Sequence, residues 1–465
     1  MTCVDIGNAY FEAETTEKVF AVAGAEFEEL EGRVLKITKA LYGLKSSGAR
    51  WHDVLADALR DLGWKSCKME PNFWYRENGD GYEFICIWVD DILIASKRNE
   101  AIHDDLKRLF KVKGGEFPSY YLGADLEFVE DPTSGEMVLG LSCRTYLKNV
   151  IPRIEEKLRD TSGETKLART RVLTPMMEHY HPEEEVEMEV TEDKRKWYMS
   201  LVGMGSWCMQ LCRIDIAYAV NSMASYRHSP SESHLSAVLR IFAYVKSRGA
   251  ASIKFRTEVP DYSLLKVEDY DWIQQYGDIK EEVPYFAIQP KGPPVRMTCF
   301  VDANHARCTA TRRSTTGIIH FINSTPFEWT SKKQSTVEAS TYGAEFVALR
   351  LAVEQIKTNR MFLQSIGVPL DGPTWVLCDN LAVVRSVNVP EHVLKKKHLA
   401  VAYHMAREAV ASGMLHIVYV PTGRNVADVC TKPLTCVVLD RLMLPVLYVE
   451  KEGSTLLKVD WVSDD

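Results

Sequence analysis

Asp90 and Asp91 stand side by side between two apolar runs, Phe84-Ile-Cys-Ile-Trp-Val89 and Ile92-Leu-Ile-Ala95. Runs of that length and composition read as β-strands, which puts both acids at the tip of a hairpin. Asp is common in turns, so an ordinary polar turn is one reading. Adjacent acids beside a buried strand are costly, however, unless a cation or donors neutralise them. A third acid, Asp5, lies in the short apolar stretch Cys3-Val-Asp-Ile6. Three carboxylates from neighbouring strands are what two-metal phosphoryl transfer needs, with ions roughly 3.5–4 Å apart clamping the attacking and leaving oxygens.

Four further acids are spread over the last third of the chain: Asp302, Glu345, Asp379 and Asp428. Each alone is most simply a surface carboxylate. Their positions relative to the expected elements suggest more. Residues 297–301 read as a strand ending at Asp302, followed by strands at 316–323 and 327–331. A helix over 341–364 carries Ala344, Ala348, Leu351, Ala352 and Leu363 on one stripe, with Glu345 near its start. A strand at 374–378 ends at Asp379, a helix covers 393–411, and 415–420 is a last strand. Asp428 falls on a short helix after Asn425. The order is βββαβαβ and a final helix, with an acid at each of four element ends. Such a set can hold two divalent ions that place a water for in-line attack on phosphate. Mg²⁺ suits it, because Mg²⁺ takes hard oxygen ligands and keeps several waters.

The first-half acids need their own frame. Trp51, Val54, Leu55, Ala58, Leu59 and Leu62 recur at helical spacing, and Gly63 is a C-terminal stop. Asn99 is expected to cap a helix bearing Ile102, Leu106, Leu109 and Phe110. Residues 201–226 and 234–245 read as helices with apolar core faces. Residues 261–294 carry few periodic signals and four prolines, as an inserted linker would.

The formal net charge of −8 argues weakly against nucleic-acid binding. The acid is clustered, though, at 178–193 and 258–284. Outside those stretches the balance is basic, as for neutral-to-basic domains joined by acidic connectors. The 11 cysteines form no Cys-x-x-Cys pair, and Cys208 and Cys212 lack zinc-spaced partners. Buried thiols in a reducing compartment are the expectation. The start is not a signal peptide, and the longest uncharged run worth testing, 197–212, is too short to span a membrane.

Ala40-Leu-Tyr-Gly-Leu-Lys-Ser-Ser-Gly-Ala-Arg-Trp51 and Trp88-Val-Asp-Asp-Ile-Leu-Ile94 closely resemble the reverse transcriptase of copia-type retrotransposons, and Asp5-Ile-Gly-Asn-Ala-Tyr10 is similar to that family's first catalytic motif. Phe300-Val-Asp-Ala-Asn304, Thr311-Arg-Arg-Ser-Thr-Thr-Gly317, Trp329-Thr-Ser-Lys-Lys-Gln-Ser-Thr336, Gly343-Ala-Glu-Phe346, Cys378-Asp-Asn380 and Ala427-Asp-Val-Cys-Thr-Lys-Pro-Leu434 look like its RNase H. Trp88 replaces a usual Tyr, and Gly343 stands where an acid is common. No His occurs between Val420 and Asp428, where many relatives keep one.

The resemblance implies an α+β and α/β multidomain chain of the C-terminal Pol type. It implies a palm over 1–130 with most of the fingers missing, which leaves an unpaired sheet edge. A helical thumb and connection follow over 131–256, then a linker over 257–295 and an RNase H domain of β-sheet flanked by helices over 296–434. Residues 435–465 form a tail without assignment. Asp5, Asp90 and Asp91 would be the metal triad of polymerisation, with Tyr10 as the gate against a ribose 2′-hydroxyl. Asp302, Glu345, Asp379 and Asp428 would cleave RNA in hybrids. Each site would take two Mg²⁺ or Mn²⁺. Arg312, Arg313, Lys332, Lys333, Lys395, Lys396 and Lys397 are either solvated charges or phosphate contacts. The implied partners are an RNA template, a DNA primer, an RNA–DNA hybrid, dNTPs and other polyprotein products, with no membrane. The implied location is a cytoplasmic virus-like particle or the nucleus, not secretion. Two rivals stand beside this reading: a nuclease whose palm does not polymerise, and a non-catalytic nucleic-acid-binding remnant.

Overall fold

The computed structural model describes every residue to Tyr448 except 132–133, 165, 169, 185–189, 250 and 395. Lys395, the centre of the first acidic run and the last 17 residues lie outside the described residues. The chain forms two compact units.

The first unit comprises residues 1–119 with segments 284–293 and 361–369. Its site is carried by β1 (Thr2–Ile6), α1 (Ser47–Asp61), β2 (Gly81–Trp88), β3 (Asp91–Ala95) and β4 (Val112–Gly114). The six-stranded sheet runs Lys65–Ser66, Phe73–Asn78, β2, β3, β1, β4. Period-2 alternation buries Ile85 and Ile87 of β2, Ile92 and Ile94 of β3, and Val4 and Ile6 of β1. Trp51, Leu55 and Leu59, one turn apart on α1, close over that face. Gly63 follows the helix at a φ of 83°, the left-handed stop the sequence predicts.

One expectation is corrected by this unit. Asn99 is the first residue of the helix Asn99–Leu109, and Arg98 holds the cap position with no side-chain cap bond. The motif strand β1 lies inside the sheet, because β4 pairs with it on the side away from β3.

The second unit comprises 120–283, 294–360 and 370 onward. Its first half has α2 (Arg144–Ser162), α3 (Glu192–Leu211) and α4 (Glu232–Ser247) beside a four-stranded sheet. The helix expected over 201–226 is broken at Cys212 and resumes at Ala217–Ala224. The break houses a buried ion pair, with Arg213 donating to both carboxylate oxygens of Asp215 at 2.9 and 2.7 Å. Tyr244 also donates to Asp215, at 2.7 Å.

The second half has β5 (Met297–Asn304), β6 (Thr315–Ile322), β7 (Thr325–Lys333), α5 (Thr341–Ser365), β8 (Thr374–Cys378), α6 (Leu381–Asn388), α7 (Ala400–Ala411), β9 (Leu415–Tyr419) and α8 (Cys436–Met443). The sheet runs β7-β6-β5-β8-β9, antiparallel through the first three strands and parallel through β5, β8 and β9. That is the RNase H-like arrangement. The expected helix at 393–411 starts only at Ala400, after a 3₁₀ turn, and α6 went unread.

Both faces of this sheet are covered. Cys299, Val301, Ile318 and Val376 pack on α5, α6 and α7. Phe300, Ile319, Phe321 and Leu377 belong instead to one core with Tyr198, Leu201 and Phe242. The sequence boundaries between connection, linker, sheet domain and tail are therefore not divisions of the structure. Within 257–295, Tyr262 donates to Thr298 at 3.1 Å, and Arg360 donates to Glu281 at 2.7 and 2.6 Å. The supposed tail is core as far as Tyr448: Leu439, Leu442, Met443, Val446, Leu447 and Tyr448 are buried. Among the described residues, no helix is long and apolar enough to cross a membrane.

Candidate active sites

In the first unit, Trp88 pairs with Asp91, so Val89 and Asp90 form a two-residue hairpin turn. Val89 has a φ of 56°, a position that favours Gly and strains a β-branched residue. Trp51 of α1 holds this turn by donating its indole N–H to the Val89 carbonyl at 2.6 Å. The Ile6 amide donates to the Asp90 carbonyl at 2.9 Å. Asp5 stands directly opposite Asp91 on one side and Lys113 on the other. Directly paired residues project to the same face, so the register brings the acids together.

Burial, then the charges of Asp90 and Asp5, raise the Asp91 carboxyl. The same field reaches Cys3, whose thiol is pushed to about 11 by burial, Asp91 and Asp5. Tyr10, on the turn Ala9–Glu12, packs against Tyr42 at 4.6 Å between ring centroids. Burial and then Asp90, Tyr10 and Asp5 raise the exposed Tyr42 hydroxyl. Lys113 and Tyr42 are site neighbours that sequence reasoning missed. Tyr42 was visible inside the Ala40–Trp51 motif, whereas Lys113 needs the strand register.

In the second unit all four expected acids meet. Asp302 ends its run on β5, Glu345 lies in the second turn of α5, Asp379 follows β8, and Asp428 sits on the 3₁₀ turn Val426–Cys430. One oxygen from each of Asp302, Asp379 and Asp428 lies within 4.8 Å of the others, as do donor atoms of Glu345, Cys378 and Asp379. Among the described residues these are the groups placed to hold an ion, and Asp5, Asp90 and Asp91 do not form one.

Asn425 positions Asp428. Fully buried, it donates to the Val301 carbonyl at 2.9 Å and accepts from the Ala427 amide at 3.1 Å. Gly317 lets the turn approach the sheet, since a Cβ there would lie 2.6 Å from the Ala427 carbonyl and 2.5 Å from Thr431 Cγ2. Thr431 donates its hydroxyl to Asp302 at 2.5 Å, and Lys432 Nζ lies 2.6 Å from Asp428. Cys378, Thr431 and Lys432 were unread, although all three lie inside motifs the sequence displays.

Burial dominates the electrostatics. Desolvation and then Asp428 push Asp302 up to about 7. Glu345 is raised well above the usual range by desolvation, Asp302 and Asp379, and Asp379 is raised by desolvation and Asp302. Glu345 Oε2 is buried and has no hydrogen-bond partner. A buried, orphaned carboxylate oxygen is what a divalent cation would satisfy, and the donor set is dominated by hard oxygens.

The basic candidates fall near the same sheet end. Asp302 pairs with Gly317, Thr316 with Lys332 and Thr315 with Lys333, while Arg312 and Arg313 are exposed in the loop just before β6. Lys396 is tied to the Ser340 hydroxyl, and Lys397 is exposed on a 3₁₀ turn. Gly343 packs against another acid. Glu338, nearly buried, would lie 2.4 Å from a Cβ at Gly343 and accepts from His398 at 3.1 Å.

Residues 1–162 match the reverse transcriptase (RNA-dependent DNA polymerase) family. The chain is 28% identical over 443 residues to the retrovirus-related Pol polyprotein from transposon RE1 of Arabidopsis thaliana, covering 93% of this chain and 26% of the relative. It is 23% identical to the Ty1-DR1 Gag-Pol polyprotein of Saccharomyces cerevisiae, over 93% of this chain and 23% of that one. The chain thus spans about a quarter of the length of the curated relatives it matches. Among solved structures, LC11-RNase H1 isolated from compost is 20% identical, with a TM-score of 0.24, over 29% of this chain and 92% of that one.

Proposed function

We propose that this chain, a relative of the Pol polyproteins of copia-type retrotransposons, cleaves the RNA strand of RNA–DNA hybrids at its second unit. The convergence of Asp302, Glu345, Asp379 and Asp428 around a buried, unpartnered carboxylate oxygen carries the reading. These four residues would hold two Mg²⁺ or Mn²⁺. When bound, the ions supply an activated water and neutralise charge on the departing oxygen. The chain's own groups fix the geometry. Asn425 and Gly317 set Asp428 against β5, and Thr431 orients Asp302. Arg312, Arg313, Lys332 and Lys333 would meet backbone phosphates, Lys396 and Lys397 would do so from the start of α7, and Lys395 is assigned from its place in the sequence alone. The test is cleavage of a labelled hybrid by the purified chain with Mg²⁺. Asp379→Asn is expected to lower the rate by about 10²-fold or more, as for loss of a group that stabilises developing charge. No cleavage by the wild type sinks the reading and leaves a nucleic-acid-binding remnant.

The first unit is proposed as a polymerase palm using Asp5, Asp90 and Asp91, an RNA template, a DNA primer and dNTPs, with Tyr10 beside the sugar. The pairing of Asp5 with Asp91 beside the Asp90 turn supports that reading, and a nuclease whose palm does not polymerise is its alternative. Extension of a primed template would decide for the palm.

A further inference from the structure

Four carboxylates packed together repel one another when no ion is bound, and positive charge beside them relieves that repulsion. Asp302, Glu345 and Asp428 are each only 4% exposed, so water screens them poorly. Among the described residues, a single ion pair reaches the four acids, from Lys432 Nζ to Asp428 Oδ1 at 2.6 Å. The lysine's stem is fixed, because its amide donates to the Asp428 carbonyl at 3.3 Å and Thr431 beside it is bound to Asp302. Its own side chain is 30% exposed against 5% for that of Asp428, so the ammonium closes the site at its rim.

We infer that Lys432 is a resident counter-ion: it holds the carboxylate ring together in the ion-free protein and competes with an incoming divalent ion for Asp428. The competition follows from charge alone. An ammonium and a divalent cation at one carboxylate oxygen repel each other, so the lysine must swing away as the ion enters. Only this second half rests on the metal reading proposed above.

The test uses the full chain at fixed pH. In EDTA, Lys432→Met is expected to melt several degrees below wild type, a shift of the size one lost interaction produces in a unit of this length. Lys432→Arg should restore most of the loss, and Asp428→Asn combined with Lys432→Met should melt above Lys432→Met alone, since a charge without its partner has been removed. In calorimetric titration with Mn²⁺, Lys432→Met should bind roughly tenfold more tightly than wild type, one ordinary step of coupling. An unchanged melting temperature for Lys432→Met in EDTA, or a double variant no more stable than Lys432→Met, overturns the counter-ion. Unchanged or weaker Mn²⁺ binding overturns the competition. If wild type binds no Mn²⁺ while the EDTA differences persist, the metal reading fails and the counter-ion stands.

Discussion

At the scale of single residues, the buried acids make a signed prediction. The folded-state value of Asp302 is raised to about 7, against about 3.9 for an unfolded Asp. A raised carboxyl binds a proton more tightly in the folded protein. Its stabilising contribution is present below the unfolded value and is lost as pH rises through the folded one. In EDTA the second unit should therefore become less stable from about pH 4 to about pH 8, with the steepest loss between the unfolded and folded Asp302 values and a levelling-off above the folded one. Asp302→Asn should flatten that loss in a melting-temperature-against-pH series and abolish hybrid cleavage. A wild-type curve that rises over the same range would contradict the burial-driven shift. The seven acids themselves were legible from sequence, because Asp5, Asp90, Asp91, Asp302 and Asp379 lie in or beside apolar strand runs and Glu345 and Asp428 lie near the starts of expected helices. Their perturbation was not, because it depends on neighbours that only the register and packing supply.

At the scale of elements, two close approaches set the sites. Gly317→Ala puts a methyl into Thr431 and the Ala427 carbonyl, and the backbone partner cannot move without shifting Asp428. The expected cost is about 1–3 kcal/mol by chemical denaturation, with loss of cleavage well beyond the loss of fold. In the other unit, Val89 occupies a left-handed turn position held by Trp51. Val89→Gly should stabilise the first unit by roughly 1 kcal/mol, read from urea unfolding followed by tryptophan fluorescence. The hairpin was readable from its flanking strands, but its strain was not, since nothing in Trp-Val-Asp-Asp reports a φ angle. Helix reading failed where polar interactions overrode periodicity. The apolar pattern of 201–226 runs straight through Arg213 and Asp215, whose mutual pairing breaks the helix. The short α6 was hidden by its length, yet Asn380 caps it through bonds to Ala382 and Val383.

At the scale of the whole molecule, composition misled about modularity. Acid-rich, Pro-rich stretches read as connectors, but Glu281 pairs with Arg360 and Trp272 lies under the Arg407 guanidinium at 4.8 Å. Folding recruits those residues because Arg and aromatic side chains offer buried partners, a fact absent from local charge counts. The last acknowledged motif ends at Leu434, yet Tyr448 completes the network around Asp215, donating at 3.2 Å, and accepts from Lys254 at 3.0 Å through its carbonyl. Tyr448→Phe should lower stability by about 1–3 kcal/mol in urea unfolding, the usual penalty for stripping a buried partner. A chain stopped at Leu434 should lose its single cooperative transition and become protease-sensitive in the connection helices as well as the sheet.

That closing contact also bears on biosynthesis. Tyr244 and Tyr448 touch across 204 positions of sequence, and Lys254 meets Tyr448 across 194. At roughly 5–20 residues per second, α4 waits some 10–40 s on the ribosome before its last partner is made. During that interval the buried charges of Arg213 and Asp215 and the apolar face of α4 stand unsealed. Nascent chains stalled before Tyr448 should therefore be cut by protease in α4, and chains stalled well beyond it should resist.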